Sequence, residues 1–149
     1  MSNNNLFSPA NIRGVDFPNR IVVPPMCQYS AHEGYVDDWH LVNLGRFAMG
    51  GAGLIITEAT AVQKKGRITH GCPGIWKDEQ IIGHSRIAQF ISRNGAIPGI
   101  QLGHAGRKAS MQRPWYGNGP LNEDDFERGD MPWNIVAPSA CSVGGGGQI

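Results

Sequence analysis

Ala52-Gly53-Leu54-Ile55-Ile56-Thr57-Glu58 is a short apolar run, β-branched at its centre, with no alternation of polar and apolar positions. Such continuity marks a strand buried on both faces, as in a parallel sheet covered by helices. The pattern recurs on either side. Arg20-Ile21-Val22-Val23 is a run of the same kind, stopped by Pro24-Pro25 because proline has no N–H to give to a ladder. Ile97 to Leu102 is a third. Between the first two, Asp37 or Asp38 is placed to cap a helix carrying Leu41, Leu44, Phe47 and Ala48 on one face, and Gly50-Gly51 ends it. Between the second and third, Asp78 stands at a cap position ahead of Ile81, Ile87, Ala88, Phe90 and Ile91, and Asn94-Gly95 closes that helix. The joints match: Gly51-Ala52 and Gly95-Ala96 lie about 45 residues apart, a period suited to parallel crossovers. The predicted order is β-α-β-α-β.

Ahead of this unit, Leu6 to Pro9 and Ile12 to Phe17 read as short extended pieces around a turn, a small hairpin or cap that ends at Pro18-Asn19. Behind it, Gly103 to Ile149 is dense in Gly, Pro, Asn, Asp and Trp without sustained periodicity, and is expected to form a long irregular region over 104–149. Gly144 to Gly147 reads as a flexible segment rather than a phosphate cradle. With 149 residues, 40% of them apolar, the chain is one domain or a piece of one. A net charge of +1 gives no support for nucleic-acid binding. No apolar stretch approaches a membrane span, and the polar start Ser2-Asn3-Asn4-Asn5 is unlike a signal peptide. Cys27, Cys72 and Cys141 are an odd number, far apart in sequence, so reduced thiols in a cytoplasmic protein are expected rather than disulfides or a zinc site.

In parallel α/β folds, binding groups gather at the carboxyl edges of the strands. Those edges carry Pro25-Met26-Cys27-Gln28-Tyr29, then Glu58-Ala59-Thr60, then Gln101 with His104-Ala105-Gly106-Arg107-Lys108. The mixture of thiol, phenol, amide, imidazole and cations suits a polar heteroaromatic ligand better than a metal. Each residue also has a plain structural reading. Cys27 is either a functional thiol or a small inert hydrophobe, and Tyr29 either a ligand contact or a core ring. Gln101 sits in an apolar strand where an unsatisfied amide costs about 1–3 kcal/mol, which a ligand edge would offset. Glu58 is expected to pair with Arg20 or another base, and His104 is a metal ligand, a base or a structural hydrogen-bonder. Cys27 with His104 also raises a cysteine-nucleophile hydrolase, although no residue that orients the histidine can be named.

The motifs at these edges resemble those of the Old Yellow Enzyme family of flavin-dependent oxidoreductases, in particular the bacterial xenobiotic reductase A type with a cysteine after the first barrel strand. The matching stretches are Asn19-Arg20-Ile21-Val22-Val23-Pro24-Pro25-Met26-Cys27-Gln28-Tyr29, Glu58-Ala59-Thr60-Ala61-Val62, Gly66-Arg67-Ile68-Thr69, Gly74-Ile75-Trp76, Gln101-Leu102-Gly103-His104-Ala105-Gly106-Arg107-Lys108-Ala109 and Ala137-Pro138-Ser139-Ala140. The resemblance implies an eight-stranded α/β TIM barrel with FMN at its carboxyl edge, of which this chain supplies the cap hairpin and the first three strands. It implies that Pro24, Pro25 and Met26 line the flavin through their backbone. Cys27 would tune its potential, Ala59 approach the same ring edge, and Gln101 bond the pyrimidine part. Tyr29 would contact substrate. NADPH or NADH would donate hydride, and the acceptor would be the activated C=C bond of an α,β-unsaturated carbonyl or nitro compound. A homo-oligomer, with neither nucleic acid nor membrane as partner, is implied for the full-length enzyme.

The family's His-x-x-His-x-Tyr type segment, its strand-5 arginine and its phosphate-binding residues have no counterpart here. A TIM barrel takes about 250 residues. The sequence is therefore expected to be truncated and to hold FMN weakly on its own, the alternative being a non-catalytic half-barrel that acts only by associating with another chain.

Overall fold

The computed structural model describes residues 5–141. Ser2 to Asn4 at the polar start, and the glycine segment Gly144 to Gly147, lie outside them. Two sheets form among the described residues. The first is a hairpin of β1 (Ala10–Ile12) and β2 (Val15–Phe17), antiparallel, turning through Arg13 and Gly14 at φ 51° and 81°. It lies inside the expected cap region, although Leu6 to Pro9 turns rather than extending.

The second sheet is parallel, in the order β3 (Val22–Val23), β4 (Leu54–Ala61), β5 (Ile97–Gly103). Its helices are α1 (Asp38–Met49) and α2 (Ile81–Arg93). The expected β-α-β-α-β order is therefore present. The first strand is shorter than its sequence run, because Arg20 and Ile21 precede the paired residues. Burial also departs from expectation: Val22 is 49% exposed, and Ile100 and Leu102 are 39% and 59% exposed. Only β4 is paired along both edges among the described residues, and β5 has an open side.

The core lies between the sheet and the two helices. Ile55 and Ile91 are fully buried at its centre with Val23, Ala48, Ile87 and Ala96, and Leu41, Leu44 and Phe47 of α1 pack against them. This is the helix face read from the sequence. Asp37, not Asp38, caps α1: its carboxylate takes the Trp39 N–H at 3.0 Å, while the Asp37 N–H reaches His40 Nδ1 at 3.1 Å. Asp78 does not cap α2. It opens a 3-10 turn, and the Gln80 side chain takes the N–H groups of Trp76 and Lys77 at 2.9 and 3.2 Å, satisfying donors ahead of the helix.

Both helix-to-strand joints use one device. Gly51 and Gly95 stand at φ 86° and 84°, in the left-handed region. At each, the residue after the glycine bonds back across the turn, Ala52 N–H to Phe47 O and Ala96 N–H to Ile91 O, while the glycines bond Ala48 O and Ser92 O. This is the Schellman closure, repeated.

After β5, three-residue turns at Gly106–Lys108 and Pro114–Tyr116 lead to a one-turn helix, α3 (Glu123–Glu127). It is anchored by fully buried Asp125, which accepts from Gln112 Nε2 at 2.7 Å and from the Asn122 N–H at 2.9 Å, with Arg128 beside it. No helix among the described residues is long and apolar enough to cross a membrane.

A Cβ added at Gly51 or Gly95 meets nothing within 4 Å, so only the backbone conformation resists substitution. Gly51→Ala and Gly95→Ala are each expected to lower unfolding free energy by about 1–2 kcal/mol, additively, in urea melts.

Candidate functional site

The parallel register decides which side chains meet. Val23 lies opposite Ile55, and Leu54 opposite Ile97, so the carboxyl ends of all three strands reach the same edge. The ladder between β4 and β5 is regular through Thr57 and Ile100. It then resumes at Ala59 and Gln101, leaving Glu58 as an extra residue. Such a bulge twists a strand and re-aims its side chains. Beyond it, Ala59 and Gln101 are direct neighbours.

A cavity of about 310 Å³ opens at this edge, lined by Cys27, Ala59, Gln101, His104, Arg67 and Cys72 among others. Three residues singled out from sequence, one from each strand end, thus share one space. Pro24 and Met26 border a separate void of about 10 Å³ on the α1 side, together with His40 and Glu58, and Pro25 borders neither. Tyr29 lies beside Cys27, its ring edge-on to Trp115 at 6.0 Å and 83°. Thr69 gives its N–H to Cys72 Sγ at 3.4 Å, which fixes a second thiol on the cavity wall.

Burial pushes the Cys27 thiol above its ordinary range, with Cys72 and Glu58 adding to the rise. Burial likewise raises Tyr29 and Cys72. Cys27 is therefore a protonated, weakly donating thiol at neutral pH, a poor nucleophile and a reasonable neighbour for a polar ring. His104 takes the Gly106 N–H on Nδ1 at 3.1 Å and serves the loop structurally; its ring fills the place a Cβ at Gly66 would occupy, 2.7 Å from His104 Cδ2. No group of metal-ligating side chains occurs among the described residues.

Of the partners expected for Glu58, Arg20 or another base, the structure brings the second, His40. Arg20 stands two residues ahead of Val22, which pairs with Leu54 at the start of β4, and so lies roughly 20 Å along the strand direction from Glu58. Instead Glu58 Oε2 accepts the Gln28 N–H at 2.9 Å, and Oε1 lies 3.6 Å from His40 Nε2. Burial pushes its carboxyl up to about 7, partly opposed by the N–H groups of Gln28 and Tyr29.

Arg67 was legible only as part of a motif. It is buried between two indoles, its guanidinium carbon 5.5 Å from the Trp76 ring and 5.1 Å from that of Trp133, and burial lowers its pKa. A cation flanked by tryptophans in glycine-rich loops is the signal that could have found this stack.

The donor set fits a flavin ring. Ala59, Ala61 and Gly103 leave room for a flat body, while the Gln101 amide and the Cys27 thiol offer polar edges.

Comparison with known proteins gives the family and the fold. The model of the NADH:flavin oxidoreductase / NADH oxidase family matches residues 5–132. An NADH:flavin oxidoreductase of Gibberella zeae is 49% identical over 137 residues, 92% of this chain and 33% of the relative. An NADPH dehydrogenase of Geobacillus is 49% identical over 108 residues, 71% of this chain and 32% of the relative. The chain thus spans about a third of the length of these curated relatives. Among solved structures, morphinone reductase in complex with tetrahydroNAD superposes with a TM-score of 0.73 at 26% identity, over 95% of this chain and 34% of that one. Old Yellow Enzyme from Pichia gives 0.67 at 28% identity, over 73% and 28%.

The raised pKa of Glu58 sets a sign for stability. The folded state binds this proton more tightly than the unfolded chain, so the contribution is full below pH 4.5 and lost as pH rises through about 7. Relative to Glu58→Gln, the wild-type chain is expected to lose up to about 3 kcal/mol across that window, measured by chemical unfolding at several pH values.

Proposed function

The chain belongs to the NADH:flavin oxidoreductase / NADH oxidase family, and on that premise we propose that it forms the amino-terminal wall of an FMN site in an ene-reductase of the Old Yellow Enzyme type. The observation that carries this reading is the meeting of Cys27, Ala59 and Gln101, from three successive strand ends, at one cavity. The sheet and its helices are the first part of an α/β barrel of that type.

In this reading the backbone of Pro24, Pro25 and Met26 lines the flavin, Ala59 leaves space for its ring edge, and the Gln101 amide bonds the pyrimidine part. Cys27 places a protonated thiol beside the ring and so tunes its potential, and Tyr29 contacts substrate. FMN, when bound, supplies the hydride chemistry, from NADPH or NADH to the β-carbon of an enone or nitroalkene. The chain's own groups orient the ring and offer donors where negative charge develops. The whole of residues 1–149 then belongs to a single FMN-binding domain, with 104–149 as an excursion after the third barrel strand. Three free thiols suit a reducing cytoplasm, and a homo-oligomer with neither nucleic acid nor membrane as partner completes the picture.

A second reading, a half-barrel that is inactive alone and works by association with another chain, is favoured by one observation. Among the described residues the far side of β5 is unpaired, and Ile100 and Leu102 are exposed.

Titration of the 149-residue protein with FMN, followed by reduction with NADPH and reoxidation with cyclohexenone, separates the two. Flavin binding with bleaching and recovery of the yellow colour supports the ene-reductase. Oligomers without flavin absorbance support the half-barrel. Where FMN binds, Gln101→Leu is expected to weaken it about tenfold, the loss of roughly one well-made hydrogen bond; unchanged affinity would remove Gln101 from the site.

A further inference from the structure

Glu58 is a buried carboxylate with no task in the reading above. Three independent features converge on it. It is the extra residue of the β4 bulge. It receives the Gln28 N–H at 2.9 Å, and the N–H of the next residue, Tyr29, lies near enough to oppose the rise of its pKa. And the second of these, Tyr29, stands at φ 54°, a left-handed conformation that a bulky side chain adopts only when its surroundings impose it. Gly71 closes the turn from the other side: a Cβ there would lie 2.1 Å from Tyr29 O, and Gly71 O takes the Ala31 N–H at 2.9 Å. The strained turn is thus clamped between Glu58 and Gly71. It carries Cys27 and Tyr29.

We propose that Glu58 is the positioning residue of this wall: its ionised carboxylate holds the Gln28 and Tyr29 N–H groups in the turn that presents Cys27 to the cavity, and its protonation releases one of them. A neutral carboxyl keeps one carbonyl acceptor and turns its other oxygen into a hydroxyl donor, which opposes an N–H. The consequence for catalysis rests on the flavin reading; the positioning itself does not.

The groups facing Glu58 come from three directions. His40 approaches from α1, with Nε2 at 3.6 Å, too far for a hydrogen bond, and with Asp37 behind it at 2.9 Å from Nδ1. Cys27 and Tyr29 lie on the turn itself, and Cys72 on the loop after β4. The thiols and phenol are neutral around pH 7 because burial raises all three. Glu58 is left as the group that burial brings into that range, with His40 as the neighbour from which the test must tell it apart. Since burial places the Glu58 carboxyl at about 7, the turn would loosen just below neutral pH and tighten just above it.

The test needs no flavin. Amide spectra of the full 149-residue chain, labelled with nitrogen-15, are recorded from about pH 5 to about pH 8.5, a range that brackets Glu and His titration. The Gln28 and Tyr29 resonances are expected to move together with one midpoint near 7, downfield as pH rises. Glu58→Gln abolishes that titration at both amides, while His40→Gln preserves it. Titration that persists in Glu58→Gln and disappears in His40→Gln overturns the proposal, as does a wild-type chain whose two amides do not titrate. Both variants keep side-chain size, and the wild-type titration decides even where one of them fails to fold. FMN affinity of the wild-type chain, measured in parallel, keeps the two readings apart: titrating amides without flavin binding sink the function and spare the role of Glu58, and the reverse sinks only the latter.

Discussion

The structure depends on the pairing of β4 along both edges in parallel register. Parallel strands cannot be joined by tight turns, so each pairing forces a helical crossover, and the crossovers cover one face of the sheet with α1 and α2. Ile55 and Ile91 are sealed by that arrangement. The same register brings three carboxyl ends to one edge, where Cys27, Ala59 and Gln101 meet. Helix closure at Gly51 and at Gly95 serves this end, since each returns the chain to the start of a strand in the same direction.

At the carboxyl edge the regularity is broken. A bulge at Glu58, a left-handed backbone at Tyr29 and a buried carboxylate that resists ionisation are each unfavourable alone. Together they offset one another in part. The carboxylate finds N–H donors that the turn leaves unpaired, and the turn gains an acceptor that the bulge delivers. Such concentration of strain at one edge of the sheet fits the site proposed there.

Much of the fold could be read from the residues because its determinants are local and redundant. The strands showed as continuous β-branched runs, although of the three β4 alone is largely buried, and the helix ends showed as Gly50-Gly51 and Asn94-Gly95. What escaped depended on register or on side-chain reach. Arg20 seemed a partner for Glu58 until pairing placed it at the opposite end of the sheet. Asp78 seemed a cap, yet the longer Gln80 side chain folds back to do the work. α3 is one turn long and has no room for periodicity. Of the site, the three strand-end residues were legible from position alone. The Arg67 stack and the His40 approach to Glu58 were not, because both join segments that are distant in sequence.

If the carboxyl edge of this sheet forms one wall of a flavin site, FMN must shield it from solvent. Hydrogen exchange of the chain with and without FMN, resolved by residue, tests it most directly. Added protection is expected at residues 26–29, 59–61 and 101–105, with the β1–β2 hairpin unchanged. Protection confined to the outer faces of α1 and α2, or spread evenly over the chain, would contradict it.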